Sequence, residues 1–299
     1  MITTPTLLIL YNRPDKTKQL LTELNKIKPQ QLYIFCDGPK NTKDKTKTAM
    51  IHNLVKSISW TKNVEMRIEK KNLGCKKGVS TAISWFFANE KQGVILEDDC
   101  IPNASFFKFS SELLEKYKND GRISLIAGTN SNASISVNDS YFFSTYSNIW
   151  GWASWADRWQ SFSWLDRQGL SLLKSSEVLH NLALRKVPKG FIANTIDSLL
   201  GTLDTWDYIW TMSNILNNRL AIIPTSNMIS NIGFGMDSTH TKIVTNQANI
   251  EREDIKFPLS HPEVVMPNAE FDSQKRRKHI KTLASLDFAK EKLLKMFSF

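Results

Sequence analysis

Cysteine is scarce in this chain: there are three in 299 residues. Cys36, Cys75 and Cys100 are scattered and form no CxxC pair, which excludes a disulfide framework. Their scarcity fits a reducing cytoplasm. Each lies near a predicted strand end or loop, where a small buried residue is expected before a nucleophile. Long apolar runs are missing too. None approaches the roughly 20 residues a spanning helix requires, and the opening MITTPTLLIL has no basic stretch before its apolar one. That opening reads as a first strand. Zinc spacings and RNA-binding signatures are also absent. The net charge of +10 therefore points to an anionic partner such as a phosphate-bearing substrate or a membrane surface, with no specific nucleic-acid recognition. No Gly/Pro-rich linker divides the chain. At 41% hydrophobic and 23% charged residues, the composition is that of a globular protein able to bury a large core.

The most informative segment present is GVILEDDCIPNASFFKF, residues 93 to 109. Val94, Ile95 and Leu96 form a continuous apolar run that fits a buried parallel strand. Glu97, Asp98 and Asp99 then emerge at its carboxyl edge, where open α/β sheets hold ligands. Three adjacent acids repel one another and resist desolvation, so they need a cation or solvent. An acidic strand-to-helix cap is the plainer alternative. Pro102, Asn103 and Ser105 mark a turn, and Phe106, Phe107, Phe109, Leu113 and Leu114 form a helical stripe.

The first 130 residues repeat strand, turn and helix. TLLILYN, QLYIFCD, VEMRIEK, GVILEDD and ISLIAGT read as strands. DKTKQLLTELNKI, KTKTAMIHNLVKSI and KKGVSTAISWFF read as amphipathic helices between the first of them. Connections of this length predict right-handed crossovers and a parallel sheet. After residue 130 the pattern turns to short aromatic strands, loops and helices. YFFSTYSNIWGWASWADRW is either a hydrophobic wedge between sheet and helices or an acceptor platform. Gly151, between Trp150 and Trp152, allows a ligand or another strand to come close. The end of the chain, DSQKRRKHIKTLASLDFAKEKLLKMFSF, predicts a basic amphipathic helix that docks on the parent domain or lies on an anionic membrane.

The ordered set YNRP (11–14), CDG (36–38), NLGCKKG (72–78), LEDDC (96–100) and WGWASW (150–155) resembles GT-A glycosyltransferases over roughly residues 5 to 240. Within them it resembles bacterial nucleotide-diphospho-sugar transferases of the haemolytic-protein-like group, and more distantly eukaryotic N-acetylglucosaminyltransferase I. The resemblance implies a GT-A α/β fold with a mostly parallel central sheet flanked by helices, an aromatic-rich acceptor half and a C-terminal helix. The corresponding divisions are 1–130 for nucleotide-sugar binding, 131–245 for the acceptor and catalytic half of the same domain, and 246–299 for a C-terminal extension.

It also implies roles for particular residues. Asp99 would hold Mn2+ or Mg2+, with Asp98 on the ribose or metal shell and Glu97 assisting. A hard cation suits carboxylate oxygen and offsets charge on a diphosphate leaving group. The motif here is EDD, not a literal DxD. Arg13 would reach the donor pyrophosphate, for which a guanidinium is well shaped; otherwise it is a surface arginine. Asp37 would bond uracil or ribose, or simply shape its Asp-Gly-Pro turn. Lys76 and Lys77 open the third helix, where its positive end favours phosphate, or they form a solvated charge run. Trp152 is placed on the donor side.

An inverting transferase needs a base, and DTWDYIW (204–210) is its best source: Asp207 among aromatics, which would raise a carboxylate's pKa, or Asp204. The pair also fits a helix start, Asp204 as N-cap and Asp207 at the third helical position. SNMISNIGFGMDSTHT (226–241) reads as a loop that could close over the donor, with His240 on phosphate or metal, or merely exposed.

The expected protein is a metal-dependent, inverting transferase moving a sugar from a nucleotide diphosphate, UDP foremost, to a glycan or lipid-linked glycan in surface-polysaccharide assembly, cytoplasmic or peripheral on the inner face of a bacterial plasma membrane. A noncatalytic nucleotide-sugar or membrane-binding module is the alternative from another class. A sugar nucleotidyltransferase is disfavoured because YNRPDKT replaces the glycine-rich, arginine-containing loop such enzymes carry after their first strand.

Overall fold

The computed structural model describes residues 2–130, 135, 137–234 and 249–284. Its first half alternates strands and helices: β1 (Thr6–Leu10), α1 (Pro14–Ile27), β2 (Gln31–Cys36), α2 (Thr42–Lys56), β3 (Asn63–Ile68), α3 (Cys75–Asn89) and β4 (Gln92–Glu97). A short β5 (Cys100–Pro102), α4 (Ala104–Tyr117) and β6 (Ile123–Ala127) follow. The second half holds β7 (Tyr141–Ser144), β8 (Trp152–Trp155), α5 (Ala156–Leu172), α6 (Ser176–Leu184), α7 (Lys189–Leu200), α8 (Asp207–Leu216), β9 (Leu220–Pro224), β10 (Ile229–Asn231) and α9 (Ala269–Ala284).

An 8-stranded sheet in the order β3-β2-β1-β4-β8-β6-β9-β7 joins strands from both halves, and β5 pairs with β10 beside it. All strands of the large sheet run one way except β8 and β7, which pair antiparallel with their neighbours. The α/β class, with a mostly parallel central sheet flanked by helices, is thus as the sequence predicts. Alternation along each strand divides the core in two. Leu7 and Ile9 face one cluster with Phe35, Ile83 and Phe86; Leu8 and Leu10 face the other with Ile34, Phe106 and Leu113. A sheet buried on both faces in this way accounts for the continuous apolar runs.

Local chemistry sets the element ends. Pro14 opens α1, and Lys28, in the left-handed conformation at φ 56°, closes it. The Asn103 side chain accepts from Phe106 N and caps α4.

The WASW segment is the main departure from the expected pattern. As β8 it inserts between β4 and β6 at the middle of the sheet. Trp152 packs with Trp159, Trp206 and Trp210, its ring 5.8 Å from those of Trp206 and Trp210. Trp155 lies in the opposite cluster and donates its indole N–H to Leu114 O at 3.1 Å. Of the two roles open to this tryptophan-rich stretch, most of it packs in the core and not on an acceptor platform, but WASW does so as a strand of the sheet and not as a wedge between sheet and helices. Gly151 adopts φ 67°, and a Cβ there would meet Ile229 at 2.7 Å, so its close neighbour is β10.

Residues 249–268 run across the α4 side before α9 begins. Asn103 and Ser105 donate to Asp254, and Arg252 bonds Pro102 O. Within α9, Phe271 is fully buried and Asp272 accepts from Ser144 Oγ and Thr145 N. The helix starts ahead of the expected Asp272 and its first turn docks on the domain. The rest of the predicted basic helix, beyond residue 284, lies outside the described residues. Among the described residues no helix is long and apolar enough to cross a membrane.

Candidate active site

β1 is flanked by β2 on one side and β4 on the other, so the chain reverses its winding between β1 and β4. In such sheets the carboxyl ends of those two strands frame a ligand crevice. A cleft of 680 Å³ lies there, lined at the β1 and β4 ends by Arg13 and Glu97 to Asp99, and elsewhere by Asp204 to Tyr208.

Arg13 follows β1 directly and reaches across to the acids after β4. Its Nη1 donates to Asp98 Oδ1 at 3.1 Å and to Asp99 Oδ2 at 2.7 Å. The Glu97 carboxylate accepts no hydrogen bond among the described residues. Burial, followed by the charges of Asp99 and Asp98, pushes its carboxyl up to about 8. Burial and Asp99 also raise Asp98, while Arg13 opposes them. Three acids outnumber the cations that reach them, Arg13 and, at Asp98, Lys16, and the repulsion that raises Glu97 and Asp98 would be relieved by a further cation.

No group of three His, Cys, Asp or Glu able to enclose a metal exists among the described residues. The donors present are hard carboxylate oxygens on one wall of an open cleft. That fits an ion held by one or two carboxylates and completed by water and substrate phosphates, the usual manner of Mg2+. Asp99 would be the principal ligand, with Asp98 adjoining.

Gly233 closes this corner: its N–H donates to Asn231 Oδ1 at 2.7 Å, and Ile232 N bonds Asp99 O at 2.9 Å. A Cβ at Gly233 would overlap the Asp99 carboxylate. Gly233→Ala is therefore expected to displace that carboxylate and weaken metal-dependent nucleotide binding by about tenfold or more, with the thermal unfolding midpoint little changed. Calorimetry on the folded variant checks it.

Asp37, at the end of β2, is 7% exposed and accepts from Gly38 N, Leu73 N and Asn72 Nδ2 at 2.8 to 3.0 Å. Burial raises its pKa, while the two backbone N–H groups oppose the shift. Asp37 thus pins the 72–73 loop to the β2 end while lining the cleft.

Asp204 has a different surrounding from the one the sequence predicts. Its two carboxylate oxygens accept from Cys75 N and Lys76 N, each at 2.9 Å, and so cap α3 across 129 residues of sequence. Helix α8 starts at Asp207, after Trp206, so Asp204 is not its N-cap and Asp207 is its first residue. The α3 N-terminus, expected to favour phosphate, already holds an internal carboxylate. Lys76 turns away, pairing with Asp166 at 2.8 Å and bonding Ser198 O, and Lys77 is exposed. Neither lysine lines the cleft, nor does Trp152, which is 1% exposed in the core because its strand became central.

Asp204→Ala removes two acceptors from a helix start and is expected to cost about 1 kcal/mol of stability, whereas Asp204→Asn keeps part of the cap. Thermal unfolding of the pair distinguishes a cap from a residue with no structural role.

Asp207 lines the same cleft as Arg13 and accepts from Thr205 Oγ1. Its charge reaches Glu97, contributing to the rise of that carboxyl. The cleft is also lined by Tyr208, hydrogen-bonded with Asn194, and by Trp150, whose ring meets Phe234 edge-on at 5.5 Å. Sequence reasoning placed none of Tyr11, Lys40, Asn72, Trp150, Asn194 or Tyr208 in the site, yet all line it. Tyr11, Asn72, Trp150 and Tyr208 fall inside the motifs YNRP, NLGCKKG, WGWASW and DTWDYIW without a role of their own there, whereas Lys40 and Asn194 carried no signal. His240 lies outside the described residues.

No protein-family model and no curated protein matches the chain. Among solved structures it is similar to apo mouse xyloside xylosyltransferase 1, at 10% identity over 73% of this chain and 84% of that one, TM-score 0.38. HddC from Yersinia pseudotuberculosis matches at 12% identity over 52% of this chain and 78% of that one, TM-score 0.31. The glycosyltransferase GlyE of Streptococcus pneumoniae TIGR4 matches at 9% identity over 70% of this chain and 43% of that one, TM-score 0.32. These likenesses are distant, and the α/β class stands on the strand order and directions themselves.

Proposed function

We propose that the protein is a metal-dependent, inverting glycosyltransferase that moves a sugar from a nucleotide diphosphate, UDP foremost, to a hydroxyl of a glycan or lipid-linked glycan. The observation that carries this reading is the convergence of Arg13, Asp98 and Asp99 at the β1/β4 crevice, with Asp207 lining the same cleft.

In the proposed step the acceptor oxygen attacks the anomeric carbon as that carbon's bond to the diphosphate oxygen breaks. The acceptor proton goes to the Asp207 carboxylate, and the bonding pair leaves with the diphosphate. Thr205 orients Asp207 by donating to it. Arg13 stands where a leaving phosphate gains charge, and a guanidinium can meet two of its oxygens at once. A bound Mn2+ or Mg2+, held by Asp99 and adjoined by Asp98, would supply further charge neutralisation for the diphosphate. Trp150, Tyr208 and Phe234 give the cleft flat apolar faces against which a sugar ring can lie.

The test is incubation of the protein with UDP-, GDP- and dTDP-sugars and Mn2+, with and without glycan acceptors. Release of nucleoside diphosphate, slow without acceptor and faster with it, supports the transferase. Nucleotide binding with no release across the panel favours a binding module.

A further inference from the structure

We infer that the face formed by α2 and the edge strand β3 docks on an anionic lipid bilayer. The inference does not depend on the catalytic reading. Among the described residues β3 pairs with β2 alone, so it is an outer strand of the large sheet. Along β3, Val64, Met66 and Ile68 fall on one face by the two-residue period, and Lys70 follows just beyond the strand's end. Along α2, Lys43, Lys47, Met50 and Leu54 fall on one stripe by spacings of four and three. Val64 and Leu54 both pack against the same core cluster, which turns the two stripes toward the same side of the sheet.

Above those anchors the surface is apolar and uncovered. Met50, Met66 and Ile68 are 49%, 44% and 43% exposed, and Lys43, Lys47, Lys70 and Lys71 are exposed around them. Of the nearby acids, Asp44 reaches Lys47, and the remainder leave the lysines of this face in excess. Asp44 is buried and accepts from Tyr11 and Asn12, Glu69 pairs with Arg67 at 2.8 Å, and Glu65 and Glu69 fall on the other face of β3. An apolar strip rimmed by lysines matches an anionic interface, whose headgroups take the ammonium charges while the thioether and aliphatic chains enter the acyl boundary. A second copy of the chain would set these lysines against themselves. Lys40 before α2 and Asn72 after Lys71 both line the cleft, so the docking face adjoins the cleft mouth.

The test is flotation of the full-length protein with vesicles of phosphatidylglycerol and phosphatidylcholine, against phosphatidylcholine alone. Binding is expected only to the anionic vesicles and weakens with salt. Combining Lys43→Glu, Lys47→Glu and Lys70→Glu lowers it on the order of a hundredfold. Met66→Ser with Ile68→Ser, which leaves the charge unchanged, lowers it by about tenfold. The three lysines are exposed, so the triple variant keeps the wild-type unfolding midpoint; Met66 and Ile68 are partly covered, so the serine variant lowers the midpoint somewhat and is compared at a temperature where it is fully folded. The basic run at residues 275–281 is intact in both. Undiminished vesicle binding in the triple variant assigns the affinity to that run and overturns the inference. Undiminished binding in the serine variant reduces the face to charge alone and also overturns it. A dimer in sedimentation that the serine variant dissolves, with no vesicle affinity, overturns it in favour of a second copy.

Discussion

Asp207→Asn is expected to lower transfer by a factor on the order of 10² to 10⁴, the range of a positioned general base, with little change in donor affinity. Asparagine keeps the size of the side chain and can still accept from Thr205 Oγ1, which bonds Asp207 Oδ1. What it lacks is a carboxylate able to take the acceptor proton. The neighbouring acid provides the control. Both oxygens of Asp204 are engaged by the first backbone N–H groups of α3, so Asp204→Asn should retain most of the turnover. Kinetics of the two variants with a common donor and acceptor decide between them. The reverse ranking, Asp204→Asn inactive and Asp207→Asn active, would reassign the base.

Asp99→Ala should cost turnover by a factor of roughly 10³ or more, the rate equivalent of several kcal/mol of charge stabilisation on the leaving group. The fold should survive. Arg13 keeps Asp98 as a partner at 3.1 Å, and removing one of three mutually repelling carboxylates relieves Glu97 and Asp98 of charge that raises them. Loss of the 2.7 Å ion pair with Arg13 and relief of that repulsion act in opposite directions on stability, so the unfolding midpoint should move little. Single-turnover measurements at saturating Mn2+ check the rate. A variant of normal activity would remove Asp99 from the proposed mechanism.

Much of the frame is legible because a sheet covered on both sides leaves a plain mark. TLLIL, QLYIFC and GVILE are continuous apolar runs, and amphipathic helices connect them. The acids after β4 and Arg13 after β1 could be placed at one edge because parallel strands bring their carboxyl ends together. What could not be read depends on contacts distant in sequence. WASW has no local property that distinguishes a central strand from an aromatic wedge, and once it became β8, Trp152 was drawn into the core. Asp204 resembles a helix N-cap in sequence and is one, but for α3 and not for the helix that follows it. That bond also explains Lys76: with the α3 N-terminus already carrying a carboxylate, its side chain finds Asp166 instead. Tyr11, Lys40, Asn72 and Asn194 reach the cleft only through the packing of separate elements.

The central claim is that the β1/β4 cleft binds a nucleoside diphosphate together with a divalent cation. Calorimetric titration of UDP into the wild-type protein, with Mn2+ and then with chelator, tests it most directly when repeated on Asp99→Ala. The account predicts binding that requires Mn2+ and disappears in the variant. Binding that is equally strong in chelator, or unchanged by Asp99→Ala, would contradict it.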